Sequence, residues 1–198
     1  MSVGSSYITL GYNFLQLTIN SIEEMEKQGN HHTILSKGHS SEKESWDNYE
    51  EKTKWNDNNI ALPVLFNFYH GIELIIKGLI LELTSLKLQK KHTLTILLST
   101  FEKSENALEH NLQTVLKEIL QYDPNGIFKR NDTSIDRYHV LLRYPEIEVK
   151  YVDQTVNSYM LKSQGVAGLA TFTEVKNYAI RTKTCIKNWL VLSNNKSV

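Results

Sequence analysis

Helical periodicity dominates this chain. From about Tyr7 to Gln28, the residues Leu10, Phe14, Leu17, Ile22 and Met25 fall close to one stripe, the spacing of an amphipathic helix. Ser5 or Ser6 is placed to cap its start and Gly29 to close its end. Asn30 to Asn59 then breaks the pattern with His31, His32, His39, alternating charges and few large apolar residues. A connection that long is usually functional or mobile in a compact domain, so 30–59 is expected as an extended or mobile insertion. One short helix is expected in it, around Trp46, Tyr49 and Trp55.

The next helix is the predicted core. Pro63 suits a first turn, and Val64 to Leu83 follows with apolar residues around most of the circumference, so other helices must surround it. Only a narrow polar arc remains: Asn67, His70, Glu73 and Lys77. A third helix is predicted from near Thr93 and a fourth over Leu108 to Leu120, ended by the turn Asp123-Pro124-Asn125-Gly126. Residues 127–168 look mostly irregular, with a short extended piece at Ile147 to Val149. The last helix is expected to open with the capping box Thr171 to Glu174 and run to about Leu192. The prediction is an all-α single domain over 1–198, an up-and-down bundle of about five helices with long loops at 30–59 and 127–168.

Composition narrows the setting. Lysine plus arginine equals aspartate plus glutamate at 22 each, so no global basic field exists for gripping long nucleic acid. The single cysteine, Cys185, excludes an internal disulfide and fits a reducing cytoplasm. No apolar run approaches the roughly 20 residues of a membrane span, and no secretory signal pattern opens the chain. A cytoplasmic protein without membrane contact is expected. His31, His32 and His39 lack the cysteines or helical His-x-x-x-His spacing of a zinc site, so no metal or cofactor is predicted.

The chemistry concentrates between Ile135 and Pro145, which holds Asp136, Arg137, Tyr138, His139, Arg143 and Tyr144. Arginine forks onto phosphate or carboxylate, and tyrosine adds a flat ring for stacking a base. On one helix the two arginines would lie near opposite faces, so they converge on a ligand only if the backbone bends between them. The bland alternative pairs them with Asp136 and Glu146 on a surface loop. His139 titrates near neutrality and offers a general acid or base, with Arg137 or Arg143 to hold phosphorane charge. Glu73 and Lys77 have the spacing of an intrahelical ion pair, or could complete an anion pocket beside His70.

Three segments in order resemble the HEPN family (higher-eukaryote and prokaryote nucleotide-binding domains). Gly71 to Leu81, with Glu73 and Lys77 four apart, resembles its second helix; Lys91-His92-Thr-Leu94, with Ile96 and Leu97, resembles its histidine-led third helix. Ile135-Asp-Arg-Tyr138 followed by Arg143-Tyr-Pro145 resembles its Asp-Arg-Tyr and Arg-Tyr-Pro elements ahead of the last helix. Ribonuclease members carry an arginine, four to six residues and a histidine. Here eight residues separate Arg130 from His139 and only one separates Arg137 from it, so that pair does not carry over. The resemblance implies a nucleotide- or RNA-binding module using Arg137, Arg143, Tyr144, Tyr138, Lys77 and Glu73. It implies a homodimer in a prokaryotic toxin–antitoxin or antiphage-defence system, possibly beside a nucleotidyltransferase partner. Two other expectations stand: a metal-independent endoribonuclease toxin using His139 with Arg137 or Arg143, and a helical protein-interaction subunit without nucleotide.

Overall fold

The computed structural model describes residues 2–32, 41–84, 93–102, 110–130, 132–143 and 166–195. Among these residues all regular structure is helical, as the periodicity predicts. The elements are α1 (Val3–Lys27), α2 (Glu42–Thr53), α3 (Asp57–Leu83), α4 (Leu94–Glu102), α5 (His110–Gln121), a 3-10 turn (Pro124–Gly126), α6 (Ile127–Arg130), α7 (Ile135–Arg143) and α8 (Val166–Asn195).

α1 starts earlier than expected because Ser2, not Ser5 or Ser6, caps it; the Ser2 hydroxyl accepts the Ser5 N–H at 3.0 Å. Glu82 of α3 accepts the same N–H at 2.6 Å, so a carboxylate sits where the helix dipole favours one. The other end closes as a Schellman motif: Gly29 adopts φ +76°, its N–H donates to the Glu26 carbonyl, and the Asn30 N–H donates to the Met25 carbonyl.

The 30–59 region is not one long loop. Ser41 caps α2 by accepting from the Glu44 N–H at 3.2 Å, and Asn56 caps α3 by accepting from the Asn59 N–H at 3.1 Å. α3 therefore begins six residues before Pro63, which lies inside the helix. Two polar caps in a stretch poor in apolar residues outweigh its lack of a hydrophobic stripe. The irregular 127–168 region is likewise corrected: α6 and α7 occupy part of it, and α8 begins at Val166. Thr171 is thus an interior helix residue rather than a cap, and the hydroxyl of Thr173 donates to Glu26 of α1 at 2.6 Å. The extended piece expected at Ile147 to Val149 lies outside the described residues.

α3 is buried along nearly its whole length, between α1, α4, α7 and α8. By length and composition alone its segment could cross a membrane, contrary to the sequence reading, but 78% of the apolar window is buried inside the protein. Two glycine pairs bring α1 and α3 into backbone contact. A Cβ on Gly11 would lie 2.7 Å from the Gly71 carbonyl oxygen, and one on Gly78 would lie 2.7 Å from that of Gly4. Gly4 and Gly11 are seven residues apart, as are Gly71 and Gly78, so the pairs recur every two turns along an antiparallel crossing.

Gly11→Ala is therefore expected to destabilise the protein, although alanine is the better helix former by about 1 kcal/mol. Overpacking against backbone should cost about 1–3 kcal/mol net, read as a lower urea midpoint. An unchanged or higher midpoint would mean that the two helices can separate freely.

A buried carboxylate shared by two helices

The polar arc of α3 faces α7. Glu73 is buried, although it stands among the apolar residues of the central helix. A buried carboxylate needs partners, because desolvation of an unpaired one costs several kcal/mol. Lys77, one turn on, approaches Oε1 at 2.6 Å. The other oxygen, Oε2, accepts from His139 Nε2 at 2.7 Å and from Arg143 Nη2. His139 and Arg143 are four apart on α7, so helical spacing alone puts them on one face.

His70 completes the group. Its Nδ1 accepts from Arg143 Nη2 and lies 3.6 Å from Glu73 Oε2. The Phe14 ring meets it edge-on at 4.8 Å, and the Phe66 ring stacks on it at 5.3 Å. Phe66, His70, Leu142 and Arg143 line an open recess of about 360 Å³, which makes Arg143 the link between the buried carboxylate and the surface.

His139 is fully buried, and its pKa is held below the ordinary 6.5. Burial is the main cause, and Arg143 and His70 add to it against the opposing pull of Glu73. A neutral ring whose Nε2–H donates to Glu73 leaves Nδ1 as a bare acceptor, and this buried atom has no hydrogen-bond partner among the described residues.

Among the described residues the group joins one carboxylate to two basic side chains, Lys77 and Arg143. His70, Glu73 and His139 also bring three metal-ligating atoms within 4.8 Å of one another, a two-histidine, one-carboxylate set of the kind that suits non-haem iron. Arg143 Nη2 already bonds two of these residues, and Lys77 bonds the carboxylate. A protein cation therefore stands where a metal ion would have to go.

The sequence-predicted site divides. Glu73, Lys77, His139 and Arg143 come together. Arg137 does not join them: α7 is helical, and six residues turn the two arginines about 120° apart around its axis. Tyr138 is 1% exposed with its ring 5.3 Å from Phe128, which makes it a core residue rather than a stacking face. Asp136 pairs with neither arginine; its carboxylate accepts from the Thr95 N–H at 3.1 Å and ties α7 to the start of α4. Tyr144, His39, His92, Lys87, Lys90 and Lys91 lie outside the described residues. His32 binds the buried Asp57 carboxylate at 2.6 Å, which fastens the end of α1 to the start of α3.

In the sequence His70 stands in the polar arc beside the expected anion pocket, whereas Phe66 and Leu142 read as ordinary apolar positions outside it. Compared with family models, curated proteins and solved structures, the chain gives no significant match.

Two outcomes follow. Glu73→Gln should cost about 3–5 kcal/mol in urea unfolding, because it removes the carboxylate charge that the buried Lys77 and the part-buried Arg143 share. A loss below about 1 kcal/mol would place both cations effectively in water. The second concerns pH. His139 is protonated more readily in the unfolded chain, so unfolding takes up protons and stability rises with pH. Its contribution is complete above 6.5 and is lost as pH falls from there through the lower folded value. Urea midpoints at successive pH values should show this slope, and His139→Gln should flatten it.

Proposed function

We propose that this protein is a HEPN-like binding module that takes a nucleotide or an exposed RNA base in the recess beside Arg143. The observation that carries this reading is the composition of the recess. One carboxylate is shared by two basic side chains, and Arg143 and His70 stand in a wall that also includes Phe66. An anionic group gains from the guanidinium, and a planar base gains from the aromatic and aliphatic side chains. Support for the family comes from three sequence segments in the family's order: Gly71 to Leu81, Lys91 to Leu97, and Ile135-Asp-Arg-Tyr138 followed by Arg143-Tyr-Pro145. The same resemblance supports a role in a prokaryotic toxin–antitoxin or antiphage system, with a nucleotidyltransferase as one fitting partner.

The ribonuclease reading has less support. His139 has no exposed surface and its Nε2 is held by Glu73, so a 2′-hydroxyl has no path to it in this arrangement. Arg137, its companion in that reading, is turned away from the recess.

A thermal-shift panel of nucleotides and short single-stranded RNAs tests the proposal. At a hundredfold excess over Kd, a true ligand should raise Tm by about 5–10 °C. Phe66→Ala and Arg143→Lys should each abolish the shift while keeping the helical circular dichroism signal, and added salt should weaken it. No shift with any nucleotide or RNA would leave the cluster as an internal latch, with the protein acting through its surface.

A further inference from the structure

The hydrogen-bonding sense of the recess wall decides which base it can hold. Arg143 Nη2 reaches His70 Nδ1, and a guanidinium can only donate. Nδ1 is therefore the acceptor of that bond and carries no proton, which leaves the imidazole proton on Nε2. His70 makes no second hydrogen bond among the described residues, so Nε2–H is what its ring offers a ligand. Phe66 and Leu142 bring no polar side-chain atom, and Arg143 has no acceptor. Among the described residues, every polar side-chain group on the wall is thus a donor.

The rings add a second condition. His70 and Phe66 are stacked, with 16° between their planes and 5.3 Å between centroids. A base that accepts from Nε2–H in the plane of the imidazole is then nearly parallel to Phe66, the orientation that stacking needs. The edge of Phe14 against His70 and the Glu73 carboxylate on Arg143 hold both donor-bearing side chains in place.

We infer that the recess selects guanine, read at its O6 and N7 edge by His70 and Arg143. This deepens the nucleotide reading of the recess and rests on it. Of the four standard bases, only guanine sets two acceptors and no donor side by side on that edge, and arginine is the side chain that most often reads it. Adenine places its N6 amino group beside N7, and cytosine presents its N4 amino group; each would meet a donor with a donor. Uracil offers O4 alone. The amino group that separates guanine from hypoxanthine lies on another edge, so these two bases are equivalent here.

Isothermal titration calorimetry of the full chain with GMP, IMP, AMP, CMP and 7-deaza-GMP provides the test. GMP and IMP should bind alike, and AMP and CMP about 10–100-fold more weakly. The deaza analogue keeps O6, sugar and phosphate but has carbon in place of N7, and should lose about tenfold. His70→Gln should bring AMP level with GMP, because the amide carbonyl accepts from the N6 amino group. If that variant does not fold, the analogue series on the natural chain still decides. AMP or 7-deaza-GMP binding as tightly as GMP would overturn the selectivity and leave the recess a nucleotide site. Binding of none of the five would overturn the inference as well, and a short single-stranded RNA of mixed sequence then decides whether the recess reading falls with it.

Discussion

The Glu73 carboxylate organises this molecule. It sits at zero exposure in the middle of a helix that is otherwise almost entirely apolar, where an unpaired charge would be untenable. Lys77 answers it from the same helix. His139 and Arg143 answer it from α7, 66 and 70 residues further along the chain. The pairing fixes both the position and the rotation of α7, because only one face of that helix carries both donors. Replacing such a group with hydrocarbon often costs nothing, so the ion cluster supplies orientation more than net stability. Arg143, as a result, stands at the wall of a surface recess.

A second constraint lies on the other side of α3. The glycine pairs let α1 approach until backbone meets backbone, with Ile8, Leu15 and Ile75 packed beside them. From the same helix Phe14 leans on His70. The buried cluster and the recess thus lie side by side, each placed by packing against α3.

Most of the helices were legible. The length and apolarity of α3 predict a core element, and the stripe from Leu10 to Met25 predicts α1. The errors have specific causes. The short helix expected around Trp46 and Tyr49 is α2, capped by Ser41; what the periodicity missed is that Asn56 opens α3 six residues before Pro63. α7 was hidden by its own chemistry: so many arginine, tyrosine and histidine side chains suggest a ligand loop, yet Ile135, Tyr138, His139 and Leu142 keep a helical spacing. Once Tyr138 and His139 count as core residues, the stripe is plain. The Thr171 to Glu174 pattern misled because a capping box does not bar a helix from starting earlier.

What the sequence determined by itself is what depends on near neighbours: the all-helical class, the central place of α3, and the divergence of Arg137 and Arg143 wherever they lie on one helix. These follow from repeat lengths and cap chemistry within a few turns. The helical course of α7 that puts His139 and Arg143 on one face, the partner of Arg143, the burial of Tyr138 and the addition of Phe66 were decided by tertiary structure. Each depends on which helix faces which across dozens of residues, and on how close their backbones come. Local periodicity holds no information about either, because packing and the electrostatics of burial select them only when the whole chain is assembled.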